Sequence, residues 1–194
     1  QFNEKKSNRL RDYILDDQEL LVELIGSADL EVIKDLTRAL QLSPCFDDMD
    51  KRSLLARIVK ICHNVFLGVV IQSLAEITVL AQKAGVPRHA FLEFLNQSVM
   101  GSMFTRYKTP AFVNLDFKVT FTPELLRKDM DLGLDAGRRL EVPMPLASAT
   151  RDLIQSMIGR GMKEEDFATL LVQQAQASGL ELKPENVEVK DGLS

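Results

Sequence analysis

The sequence predicts an all-α protein, a helical bundle built round one long, kinked helix. Three observations lead there. Apolar residues recur at three- and four-residue spacing along almost the whole chain. No stretch alternates apolar and polar residues for long, and no Asn-Gly or Asp-Gly pair joins two apolar runs. The segment "ARIVKICHNVFLGVVIQSLAEITVLAQKAGV", Ala56 to Val86, is apolar and free of proline until Pro87.

The elements follow in order. Ser7 to Gly26 reads as one broken helix or two short ones, and Gly26 is a natural stop. Ser27 or Asp29 can cap "DLEVIKDLTRALQL", whose Leu30, Ile33, Leu36, Thr37 and Leu40 share an inner side. Pro44 breaks the chain. Asp47 and Asp48 then open the long helix, which runs through Leu54 and Ile58 to Gly85 with a kink placed at Gly68. Pro87 starts "PRHAFLEFLNQS". Val99 to Thr122 has no clear period and reads as a long loop, whose six Phe, Tyr and Met side chains between Met100 and Phe117 need something to pack against. Thr122-Pro123-Glu124 is a helix start of cap, proline and first-turn acid, for a helix ending near Glu141. Another covers Pro145 to Ile158. The last opens with "KEED" and ends near Gly179, and the tail from Lys183 is expected to fray.

Composition excludes several classes. The net charge of -4 and pI of about 5.3 argue against nucleic acid, because neutralising phosphates needs a basic surface. Cys45 and Cys62 form no CxxC, and His63 and His89 add no ligand spacing, so neither a disulfide scaffold nor a metal site is expected. Two thiols suit a reducing cytoplasm. Val65 to Ala81 is about as long as a short membrane span, but Gln72, Ser73 and Glu76 interrupt it, which favours a core helix over a membrane helix. The polar opening is no signal peptide, and Gln1 in place of Met reads as a trimmed or engineered chain.

Lys60 and Asn64 lie one helical turn apart, on a stripe that continues through Leu67 and Ile71. Two readings stand on spacing alone. The lysine lays its stem on apolar surface and reaches water, or it sits in a cleft where partial burial makes it an acid or base. Glu76 lies on nearly the opposite side of the wheel and is not assigned to the same site.

"IVKICHNVFLGVVIQSLAEITVLAQKAGV" resembles the start of the C-terminal helical domain of the β-hydroxyacid dehydrogenases, the family of 3-hydroxyisobutyrate dehydrogenase. The matching positions are Lys60, Asn64, Ala75-Glu76 and Gly85. "FTPELLRKDMDLGL" supplies the family's later Lys-Asp pair as Lys128-Asp129, and "VPMPLASATRDLIQSMIGRGMKEEDFATL" is similar to its closing helices. The likeness runs over about residues 57 to 182. It implies that Lys60 is the catalytic acid/base, that Asn64 binds substrate, and that Lys128 lies near an NAD or NADP cofactor. It also implies a homodimer acting on a small hydroxy acid. Ser102, Arg106 and Lys108 are looser candidates for receiving a carboxylate.

The chain departs from the family too. No GxGxxG occurs, the one GxG (Gly159 to Gly161) lies between helices, and Ala56 stands where the family has glycine. Residues 1–55 are instead similar, weakly, to a helical segment of Gre-type transcription factors. The reading therefore divides the chain into 1–55 of different origin, 56–182 dehydrogenase-like, and a tail 183–194. Its expected role is the substrate-binding and dimerisation domain of an NAD(P)-dependent dehydrogenase, inactive without a nucleotide-binding domain. The alternative is a non-catalytic helical assembly or a chimera.

Overall fold

The structure is a computed structural model that describes residues 51–192, with side chains from residue 58 onward. The helices expected between Ser7 and Leu42, the caps at Asp47 and Asp48, and the origin of residues 1–50 lie outside the described residues. Among those residues the architecture is all-α, without a strand. Six α-helices occur: α1 Lys51–Lys83, α2 Arg88–Gln97, α3 Met103–Asn114, α4 Pro123–Arg139, α5 Pro145–Gly159 and α6 Leu170–Ala177. A 3₁₀ turn, Phe167–Thr169, leads into α6.

Helix α1 is the axis against which α2, α4, α5 and α6 pack. Val65, Ile71, Leu74, Ala75 and Val79 fill its buried side. Its window Ile58–Lys83 is long and apolar enough to cross a membrane; just under half of that apolar window is buried in the bundle, while Phe66, Ile77 and Leu80 are exposed. The helix runs unbroken past the boundary expected at residue 55. Gly68 is a contact point: a Cβ there would lie 2.9 Å from Met130 Sδ of α4. A Cβ on Gly133 of α4 would run into Val65 Cγ2. The helix closes at Gly85, whose φ of 92° suits glycine, and Val86 N–H returns to the Ala81 carbonyl at 3.0 Å.

Three expectations change. The long loop contains helix α3. Ser102 Oγ accepts from Thr105 N at 3.1 Å and Thr105 Oγ1 accepts from Ser102 N at 2.9 Å, a reciprocal cap that starts the helix although Pro110 lies inside it. Its aromatic side chains do find partners: Phe112 is fully buried and Phe104 stacks on Phe167 at 6.2 Å. "KEED" is a turn rather than a helix start, and Asp166 Oδ1 accepts from Ala168 N at 2.9 Å to cap the 3₁₀ turn. Thr122 and Pro123 open α4 as expected, with Thr122 Oγ1 accepting from Leu125 N.

The third change concerns the tail, which forms a strap instead of fraying. Arg88, 1% exposed, donates to the carbonyls of Phe112, Val113 and Lys183 at 2.6, 2.8 and 2.6 Å. Glu185 accepts from Arg88 N, His89 N and His89 Nδ1 at 2.7, 2.9 and 2.8 Å. Asn114 brackets Val187 through both its amide nitrogen and oxygen. A buried guanidinium must spend its donors on acceptors, and here the strap supplies one of them.

Two outcomes follow. Gly133→Ala costs about 1–3 kcal/mol by overpacking against Val65, whereas Gly159→Ala, with open space around it, is near neutral; urea unfolding separates them. Burial pushes the Glu185 carboxyl up, but hydrogen bonds from His89 and Arg88 and the Arg88 charge outweigh it and hold it below its ordinary 4.5. A lowered folded value means the strap's contribution is complete above about pH 4.5 and lost as pH falls through the folded value. Urea midpoints taken from about pH 6 to about pH 3 drop less in Glu185→Gln than in the unaltered chain.

Candidate functional site

The site expected from Lys60, Asn64 and Lys128 forms where α1 crosses α4. The two helices run close because Gly133 and Gly68 leave room for Val65 and Met130. That approach brings Asn64 to Asp129: Asn64 Nδ2 donates to Asp129 Oδ2 at 2.7 Å. Lys128 Nζ lies 3.3 Å from the other oxygen of the same carboxylate. One nearly buried carboxylate thus holds the expected substrate residue with one oxygen and the expected cofactor residue with the other.

Asn64 is further fixed by His63, whose Nδ1 is 3.1 Å from Asn64 Oδ1. This contact is a hydrogen bond when that nitrogen carries the proton. An amide nitrogen has two hydrogens. Asp129 takes one, and the other has no partner among the described residues. The arrangement can therefore offer a held N–H to an oxygen of a bound molecule.

Lys60 stands one turn before Asn64. The structure exposes it and gives it no hydrogen bond or ion pair among the described residues. The partial burial that would make it a cleft lysine is not found among them. The reason is its level along the helix. At 100° per residue Lys60 falls in the same angular arc as Leu67, Ile71 and Thr78, the core-facing side of α1. It lies before the first buried residue of that arc, Ile71, so the arc continues past the packed bundle and ends in a cation. Glu76 is about 24 Å further along the axis and accepts from Gln72 instead.

The three looser candidates have other work. Lys108 is 3% exposed; its amine bonds Asp166 Oδ1 at 2.9 Å and Thr120 Oγ1 at 2.8 Å and lies 4.4 Å from the Phe167 ring centre. Burial lowers its pKa, and the Asp166 charge and hydrogen bond only partly offset this. An anion could not reach it without breaking that pair. Ser102 is occupied capping α3, and Arg106 donates to the Asn96 carbonyl at 3.0 Å. Asp129 as a bridge is what sequence reasoning missed. The Lys-Asp pair was visible, but its partner 65 residues away was not. No group of three or more His, Cys, Asp or Glu among the described residues could hold a metal.

Known proteins share this arrangement of helices. A model of the family described as NAD-binding of NADP-dependent 3-hydroxyisobutyrate dehydrogenase matches residues 55–173. 2-(Hydroxymethyl)glutarate dehydrogenase of Eubacterium barkeri is 30% identical over 123 residues, 63% of this chain and 41% of that protein. Glyoxylate/succinic semialdehyde reductase 1 of Arabidopsis thaliana is 27% identical over 134 residues, 66% of this chain and 46% of that one. The crystal structure of 3-hydroxyisobutyrate dehydrogenase from Salmonella typhimurium superposes with a TM-score of 0.56 at 27% identity, covering 59% of this chain and 40% of that one. The chain thus spans less than half the length of each of these relatives. Its match to the family model extends over more than half of its own length, through the helices that carry Lys60, Asn64 and Lys128, and the chain belongs to the family of NADP-dependent 3-hydroxyisobutyrate dehydrogenase.

Proposed function

We propose that these helices are the substrate-binding and dimerisation half of an NAD(P)-dependent dehydrogenase of small hydroxy acids, cytoplasmic, and dependent on a nucleotide-binding domain for turnover. The observation that carries this reading is the shared carboxylate of Asp129, which takes Asn64 on one oxygen and Lys128 on the other, with Asn64 one turn after Lys60 on α1. Toward an NAD(P) cofactor the described residues offer a charge for a phosphate and little else. Lys128 offers a cation, but no glycine-rich turn from a strand into a helix is there to cradle a pyrophosphate.

The chemistry assigned to this chain is proton handling and orientation. Bound nicotinamide supplies the hydride acceptor or donor. Lys60 Nζ, when neutral, takes the proton of the substrate hydroxyl as the carbonyl forms, and returns it in the reverse direction. Asn64 donates its second N–H to a substrate oxygen, and Asp129 stops the amide from turning away.

The dimer is assigned to the outward side of α1. Ile77 is 38% and Leu80 70% exposed there, and with Val70, seven residues before Ile77, they share one side of the helix that a second helix could cover.

Two experiments test the reading. Amide shifts are followed by NMR while a small 3-hydroxy acid, and separately NADPH, is titrated into the chain. The acid shifts Lys60 and Asn64, and Asn64→Ala weakens its binding about tenfold; NADPH shifts Lys128 weakly. Shifts confined to other helices would remove the assignment, and turnover by the unaltered chain that vanishes in Lys60→Ala would show that no further domain is needed. Light scattering gives a dimer that Leu80→Glu converts to monomer, and a monomer for the unaltered chain at all concentrations would end the dimer proposal.

A further inference from the structure

The last turn of α1 lies about 35 Å along the helix axis from Lys60. Beyond it, α2, α3 and the strap enclose a cavity of about 500 Å³. That volume suits a small molecule. Two observations on its wall say which kind.

The first is charge. Helix α2 contributes Glu93, α3 contributes Arg106, and the strap contributes Glu188 and Lys190. Among the described residues none of these four belongs to an ion pair. Glu93 only accepts from Gln97 Nε2 at 3.3 Å. Arg106 gives one of its N–H donors to the Asn96 carbonyl at 3.0 Å and keeps the others. The strap is pressed on the Arg106 stem, since a Cβ on Gly192 would lie 2.8 Å from Arg106 Cβ. Acids and bases thus share one wall without balancing each other, and their equal number disfavours a ligand of a single charge.

The second is Asn96, which also lines the cavity. Its Nδ2 donates to Thr109 Oγ1 at 2.9 Å. Thr109 Oγ1 in turn donates to the Thr105 carbonyl at 2.9 Å, so it acts as an acceptor towards Asn96 and sets the amide this way round. Asn96 Oδ1 is then buried without a hydrogen-bond partner. A buried acceptor left unpaired is costly, and a bound donor removes that cost.

We infer that this cavity binds an α-amino acid with an apolar side chain. Its ammonium group donates to Asn96 Oδ1 beside Glu93, and its carboxylate meets Arg106 and Lys190. Its side chain lies on the half-buried Val187 and Val189 of the strap. The groups for the two charged ends are neighbours, because Arg106 is bonded to Asn96, as an ammonium and a carboxylate on one carbon require. Arg106 is therefore a carboxylate receptor, at a site apart from Lys60. A molecule held by three separate elements also ties the strap to α2 and α3. The inference does not rest on the proposed catalytic reading, since it concerns the other end of α1.

The full chain is titrated with L-norleucine while amide shifts are followed by NMR. Hexanoate and pentylamine, each keeping one charged end, are titrated beside it. L-Norleucine gives saturable shifts at Glu93, Asn96, Arg106 and the strap, and slows hydrogen exchange at Val187 and Val189. Hexanoate and pentylamine each bind about tenfold more weakly. Glu93→Gln, an exposed change that keeps the side chain's shape, weakens L-norleucine about tenfold, and Arg106→Gln does the same. No saturable shift, or shifts confined to the Lys60 end of α1, overturns the inference. Equal binding of hexanoate shows a plain anion site and overturns the amino-acid assignment. Binding of L-norleucine that survives both substitutions unchanged overturns it too.

Discussion

The close approach of α1 and α4 is the constraint on which the rest of the molecule depends. Gly133 receives Val65, and Gly68 receives Met130. Small residues at a helix crossing let backbones approach, and side chains one turn away then meet at hydrogen-bonding rather than van der Waals separation. Asn64 lies beside Val65, and Asp129 beside Met130. The same two contacts that lock the helices therefore fix the 2.7 Å bond between them. Packing and the candidate site are one arrangement seen from two sides. A methyl group added at Gly133 would move the carboxylate as well as strain the core.

The far end of the molecule is held by different means. Beyond Gly85 the chain builds α2 and α3 around Arg88, whose guanidinium reaches carbonyls on α3 and on the strap. The Lys108–Asp166 pair does the same for the loop before α4, joining α3, Thr120 and the 3₁₀ turn. Both are buried charges with nearly complete hydrogen bonding. Such groups add little net stability over an apolar core, but they penalise any arrangement that leaves them unpaired. Pairing fixes where irregular segments lie, which explains why a tail and a loop without periodicity are nonetheless ordered.

These two modes of fixing explain what the sequence revealed. Period alone was enough for α1, α4 and α5, because each presents an apolar stripe to a neighbour, and at α4 the Thr122-Pro123 start was legible as well. Helix α3 was hidden because its signals are weak individually: the cap reads Ser-x-x-Thr rather than Ser-x-x-Glu, and Pro110 in the middle argues against a helix. Propensity lost to tertiary packing there, with Phe112 and Val113 fully buried on its inner side. The strap was illegible for a further reason. Its order comes from Arg88 and Asn114, residues about 70 to 95 positions away, and no local pattern encodes such a partner. Lys108 was misread on the same ground, since a lysine in a loop looks free until Asp166 is placed beside it.

The candidate site shows the same division. Lys60, Asn64 and Lys128 could be picked out by their motif context, while Asp129's role required the helices to be assembled. What assembly adds about Lys60 is the meaning of its exposure. A lysine on the solvent side of a helix is exposed because it faces away from the core. Lys60 shares an arc with Ile71 and Thr78 and is exposed because the core stops before reaching it. The apolar contacts of Ile71 and Leu74 are completed by other helices, and on the turn carrying Lys60 it is Ile61 that packs at the edge of the core. What assembly leaves at this end of α1 is a cation at the rim of the packed bundle with an oriented amide one turn behind it. The acid/base work proposed for Lys60 requires water to be kept from that rim, since a proton held at Nζ serves the substrate only where bulk water does not compete for it.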